Sequence, residues 1–262
     1  MAALASTLPE TARLALSLLD LTSLNETDTA VDILRLCQRA NTAFAHVAAV
    51  CVWPRHVTVA CRGLAEQSLQ GKVKVATVIN FPEGTAPVDQ VLAELESAIA
   101  SGADEIDLVF PYRALIAGDA LTGKQMLGRV RQGLDGQCLK VILETGELGD
   151  EPLIRSASQI AIDAGADFLK TSTGKVKCNA TLAVARVMLE AIRDSGRPVG
   201  FKAAGGIRST AEAAAYLDLA ADILGPEWLR PERFRFGASS LLDELLRTLG
   251  AEPESAPGDG SY

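Results

Sequence analysis

Two lysines and an aspartate stand inside segments that otherwise read as protein interior: Lys170 in "DFLKTST", Lys202 in "VGFKAAG" and Asp107 in "EIDLVFP". Buried charges are costly unless they are paired. One reading is therefore a structural ion network, Asp107 with Lys170 or Lys202. The other is chemical: a lysine kept neutral by burial and by a second positive charge becomes a nucleophile toward a carbonyl. Its amine condenses to an imine, and a protonated imine accepts the electron pair released when the adjacent carbon–carbon bond breaks. A neighbouring aspartate can move protons at the carbinolamine stage and at the hydroxyl freed by cleavage.

A second group of residues suits an anion. "TSTGK" (171 to 175), "AGGIRS" (204 to 209) and "GASS" (237 to 240) combine small residues that leave backbone N–H groups accessible, hydroxyl donors, and the charges of Lys175 and Arg208. On three consecutive loops these pieces suggest a phosphate cradle, although each alone is as well read as an ordinary turn.

The elements that must position both groups are eight short β-like runs, at 18–24, 47–53, 74–80, 105–111, 140–146, 167–173, 199–205 and 234–240. Helical patterns such as "VDQVLAELESAIASG", "PLIRSASQIAIDAG", "TLAVARVMLEAIRDSG" and "TAEAAAYLDLAADILG" separate most of them, and several end in glycine, as helices with a left-handed cap do. Eight such alternations in 262 residues predict an α/β fold, a single-domain (β/α)8 TIM barrel over 1–250, with a short tail over 251–262. An open doubly wound sheet is the rival, weakened because no G-x-G-x-x-G follows the first strand. A barrel carries its chemistry at the C-terminal strand ends, where Lys170 and Lys202 fall on neighbouring strands. In the fourth strand Asp107 alternates with Ile106 and Leu108, which turns it toward the barrel axis.

A net charge of −8 argues against nucleic acid or an acidic membrane surface as the partner, so any anion site is a local basic pocket. The five cysteines are scattered without C-x-x-C or zinc spacing, as expected of reduced thiols in a cytoplasmic protein. The first 20 residues carry no early positive charge ahead of an apolar core, so no secretory leader is expected. No apolar run approaches the roughly 18 residues of a membrane span.

The motifs "DLVFPYRAL", "FLKTSTGK" and "GFKAAGGIR", in that order, resemble the deoxyribose-phosphate aldolase family, as do "LDLTSLN", "VCVWP", "ATVINFPEG", "LKVILETGEL", "FRFGASSLL" and the terminal "SY". The resemblance covers nearly the whole chain. It implies a class I aldolase needing no metal or organic cofactor, which cleaves 2-deoxy-D-ribose 5-phosphate reversibly to acetaldehyde and D-glyceraldehyde 3-phosphate, with a catabolic role in deoxynucleoside use. Carried over by position, Lys170 is the imine-forming lysine, Lys202 the neighbour that lowers its pKa, and Asp107 the proton-transfer group, acting through water. Thr173, Gly174, Lys175, Gly205, Gly206, Arg208, Gly237, Ser239 and Ser240 are implied around the phosphate, and Tyr262 in moving the proton of the acetaldehyde enamine. The implied partners are the small-molecule phosphosugar and acetaldehyde, with a homodimer left open. Two departures stand out: Ala203 where proline commonly follows the lysine, expected to loosen the strand end, and Trp53 where tyrosine is frequent, expected to alter the pocket wall.

Asp20 either positions substrate and pocket groups or serves a turn. Cys51, near the pocket in that family, is a small buried hydrophobe or a thiol open to aldehyde adducts. Glu144 and Thr145 either line the pocket or neutralise a lysine, and His46 and His56 read as surface or capping residues. A transaldolase-like enzyme with a ketose donor and a non-catalytic phosphosugar-binding barrel are the competing functions. Phosphate binding alone needs neither Lys170 nor Asp107.

Overall fold

The computed structural model describes residues 7–251. Eight parallel strands pair in sequence order and close: β1 (Leu19–Ser23), β2 (Ala49–Val52), β3 (Lys74–Ile79), β4 (Glu105–Val109), β5 (Cys138–Ile142), β6 (Phe168–Lys170), β7 (Gly200–Ala204) and β8 (Phe234–Ala238), with β8 returning to β1. This is the TIM barrel that the β/α alternation predicts. The helices behave as their spacing requires. Val91, Leu95 and Ala98 form the buried face of the helix Val88–Ala100. Leu182–Ser195 starts on Thr181, whose hydroxyl accepts from Val184 N, and stops at Gly196 with φ of +63°.

Strand alternation divides the apolar residues in two. One set, including Ile106, Leu108, Val141, Leu169, Phe201 and Phe236, belongs to the large layer between strands and helices. A separate small cluster, Leu24, Ala49, Cys51, Ala76 and Val78, occupies the β2–β3 side of the interior. The remaining inward positions, from β4 around to β1, are largely ionic. Short side chains on β2 and β3 leave room for long ones opposite. Beneath them Phe168 fits against Gly200, where a Cβ would come within 2.5 Å of the ring, and Arg235 stacks 5.6 Å from the Phe168 centroid.

Two strands end well short of the runs expected from the sequence. The fifth strand begins at Cys138 and stops at Ile142, because Glu144 turns into the left-handed region (φ 53°, ψ 58°) to start the short helix Thr145–Leu148. The sixth stops at Lys170, where the Thr171 hydroxyl takes over the pairing, accepting from Ala204 N at 3.0 Å and donating to Ala204 O at 3.1 Å. At Ala203, β7 stays in register with β8 through Ala204.

Candidate active site

Lys170 and Lys202 are register partners on β6 and β7, and Asp107 faces both. Asp107 Oδ2 accepts from Lys170 Nζ at 2.7 Å and from Lys202 Nζ at 2.8 Å, while its Oδ1 accepts from Lys140 Nζ at 2.8 Å. Below them the network continues. Lys202 donates to Asp20 Oδ2 at 2.5 Å, and Arg235 donates to Asp20 Oδ1 at 2.6 Å and bidentately to Glu105 at 2.8 and 3.2 Å. Lys140 also stands 2.7 Å from Glu105. Every member is buried.

The charge count of this network decides what each group does. Three carboxylates, Asp20, Glu105 and Asp107, face four bases, Lys140, Lys170, Lys202 and Arg235. Lys170 has one carboxylate partner in this network, whereas Lys202 has two and Lys140 three, so its ammonium is the least compensated. The electrostatics select Lys170. Burial pushes its amine below the ordinary lysine value; Asp107 opposes this and the Lys202 charge reinforces it. Burial acts the same way on Lys140 and Lys202, but the carboxylates around them win and both stay above the ordinary value. Burial disfavours the Asp107 anion, yet its three lysines hold it well below the usual carboxylate range.

Lys170 also differs in access. A cavity of about 590 Å³ opens at the C-terminal end of the barrel, and Lys170 forms part of its wall, whereas Lys140 and Lys202 do not. Three predicted loops meet there: Thr173, Gly174 and Lys175; Gly205, Gly206 and Arg208; Gly237, Ser239 and Ser240. The Lys175 ammonium reaches across the mouth to Leu24 O at 2.7 Å. Gly205, at φ +85°, passes so close to Asn179 that a Cβ would lie 2.7 Å from its side chain. Ser240 stands at the N-terminus of the helix Leu241–Thr248, whose unpaired N–H groups favour an anion.

Asp107 and Lys202 lie below the cavity, in bonded contact with Lys170. Asp20 is deeper still, so its contacts are with Lys202 and Arg235 and not with the cavity. Cys51 belongs to the apolar β2–β3 wall, and burial raises its thiol above the ordinary value. On the same side Trp53 packs edge-on against Phe81 at 5.4 Å and donates to Asn25 O at 3.1 Å. His56 begins the helix Val57–Glu66 with Nε2 2.9 Å from Asp28 O, and His46 Nδ1 is 3.0 Å from Val47 O; neither borders the cavity. Tyr262, with nearly all of the expected tail, lies outside the described residues.

Sequence reasoning singled out none of Lys140, Arg235 and Glu105. The available signal was a single cation at an inward position of an apolar strand, "CLKVI" and "FRFGA". It also missed Thr22, Ser23 and Asn25, which line the cavity from the end of β1. Among the described residues no cluster of three or more His, Cys, Asp or Glu side chains could hold a metal ion, and no helix is long and apolar enough to cross a membrane.

Known proteins resemble this chain in sequence and fold. A curated protein from Agrobacterium fabrum (strain C58), named deoxyribose-phosphate aldolase, is 53% identical over 249 residues, spanning 94% of this chain and 95% of its own. A crystal structure of a candidate deoxyribose-phosphate aldolase from Toxoplasma gondii ME49 superposes with a TM-score of 0.85 at 28% identity, covering 92% of this chain and 95% of that one. The tetrameric deoxyribose phosphate aldolase of Aeropyrum pernix does so with a TM-score of 0.70 at 25% identity, covering 91% and 95%. The sequence pattern of the DeoC/LacD family aldolases matches residues 14–247, nearly the whole barrel. A lysine whose pKa is lowered at the mouth of that barrel suits aldol chemistry, and this chain belongs to the DeoC/LacD family of aldolases.

Proposed function

We propose that this protein cleaves 2-deoxy-D-ribose 5-phosphate reversibly to acetaldehyde and D-glyceraldehyde 3-phosphate in the cytoplasm, through an imine on Lys170. The observation that carries this reading is that Lys170 alone among the three buried barrel lysines both borders the cavity and is pushed below its ordinary pKa. The neutral amine adds to the C1 aldehyde of the open-chain sugar. Loss of water from the carbinolamine gives the protonated imine. The C3 hydroxyl then loses its proton, the C2–C3 bond breaks, and its electron pair moves into the imine to form an enamine. Protonation at C2 and addition of water release acetaldehyde.

The proton taken from the C3 hydroxyl is matched by the one delivered to C2, so the step needs a relay and not a store. Asp107, held ionised by its lysines, suits the relay through an intervening water. Lys202, raised above its ordinary value, adds its charge to the effect of burial in lowering the pKa of the free Lys170. The phosphate lies among Gly174, Lys175, Gly205, Gly206, Arg208, Gly237, Ser239 and Ser240, and Tyr262 assists the proton at C2.

The test is to incubate the protein with acetaldehyde, reduce with borohydride and map the adduct by peptide mass spectrometry. A two-carbon adduct on Lys170 is expected. No adduct, or one on Lys202 with Lys170 unmodified, refutes the assignment. A transaldolase-like enzyme would instead trap a ketose donor.

A further inference from the structure

We propose that Glu144 is a positioning residue for phosphate: it locks the loop 173–175 to the strand that carries Lys170. This rests on the reading of the cavity as a phosphosugar site and adds to it a residue outside the cavity wall. Glu144 is fully buried and adopts a left-handed backbone, which costs a non-glycine residue about 1–2 kcal/mol and persists where its surroundings enforce it. The enforcing bonds are visible on both sides. Leu143 N donates to Lys170 O at 2.9 Å and Thr145 N to Thr171 O at 3.0 Å, so the turn is fixed to the backbone of the nucleophile itself.

From that fixed point the carboxylate reaches the loop. Thr173 N lies 3.3 Å from both Glu144 oxygens, and the Thr173 hydroxyl donates to Oε2 at 2.5 Å. The same hydroxyl accepts from Lys175 N at 3.0 Å. A continuous chain thus runs from Lys170 O through Glu144 and Thr173 to the backbone of Lys175. Hydrogen bonds to a buried carboxylate are the stronger kind, and a partner left unmatched in such a chain loses its orientation. Thr173 spends its amide and hydroxyl on Glu144. The loop is therefore left with the Gly174 amide and the Lys175 ammonium to offer a ligand, at a height set by Glu144.

Two readouts test this in Glu144→Ala and Glu144→Gln: the Kd for inorganic phosphate by calorimetry, and borohydride trapping of acetaldehyde on Lys170. In Glu144→Ala phosphate binding is expected to weaken at least tenfold while trapping changes less than about twofold. Glu144→Gln, which keeps one acceptor for the Thr173 hydroxyl, is expected to recover part of the loss, and it carries the test if the alanine variant does not fold. Unchanged or tighter phosphate binding overturns the proposal, the latter by showing that Glu144 acts on the anion as a like charge. A parallel fall in both readouts overturns it in favour of a general structural role, and so does a wild-type protein that binds no phosphate. Failure of trapping in the wild type, with phosphate binding still lost in Glu144→Ala, sinks the Lys170 assignment and leaves this one standing.

Discussion

Replacing Lys202 with methionine should make Lys170 a worse nucleophile by making it a stronger base. In the wild type burial and the Lys202 charge lower the Lys170 pKa; with Lys202 removed, three carboxylates face three bases and that repulsion on a protonated Lys170 is gone. The magnitude follows from geometry. The two Nζ atoms lie 2.7 and 2.8 Å from the same Asp107 oxygen, so they stand no more than about 5.5 Å apart, the sum of those two bonds. At an effective dielectric of about 20, two unit charges at that distance repel by about 3 kcal/mol, or about 2 pKa units. Lys170, below its ordinary value in the wild type, should therefore titrate about 2 units higher in the variant. The assay is the rate of imine trapping with acetaldehyde across pH. Near neutrality the neutral fraction, and with it the rate, should fall by up to about 100-fold, and raising the pH should recover it. A midpoint that stays put or moves down would refute the electrostatic argument. An equal loss at every pH would show that Lys202 acts on geometry instead.

Two further substitutions probe the support beneath Lys170. Glu105→Gln strips Arg235 and Lys140 of a shared buried carboxylate and should cost about 3–5 kcal/mol in urea unfolding, most of which the apolar double variant Glu105→Leu with Arg235→Met should regain. A double variant no more stable than Glu105→Gln would count against a simple ion-pair penalty. Gly237→Ala places a Cβ 2.9 Å from Lys202 Cε and 3.0 Å from Ala204 Cβ. It should lower Tm by about 2–10 °C, the range expected of overpacking, and reduce kcat at least tenfold by displacing the Lys202 amine. An unchanged kcat would mean that Lys202 has slack.

Lys170, Lys202 and Asp107 were legible because each interrupts an apolar run at a position whose parity points inward, a property of a few consecutive residues. Their mutual contact was legible only in part. Adjacent strands 6 and 7 follow from chain order, but Arg235 meets Glu105 across 130 residues of sequence, a consequence of the barrel closing on itself. For Asp20 and Cys51 the sequence left a substrate-facing and a structural reading open. The strand register sets Asp20 at the level of Ala49, two residues below Thr22 and Cys51, so it serves the lysines from beneath, and Cys51 faces the apolar half. Glu144 read ambiguously because its role depends on a left-handed turn, and "LETG" contains no residue whose backbone preference announces one.

The depth of Lys140 and Lys202 also bears on how the protein meets reactive aldehydes. Both amines are wrapped by carboxylates beneath the cavity floor, a ligand's breadth from the aldehyde proposed to react with Lys170. A synthetic chemist would describe one free amine beside two protected ones. Here the protecting groups are Asp20, Glu105 and Asp107, held in place by folding. An excess of acetaldehyde that scars the outer lysines should therefore still find a single reactive amine inside the barrel.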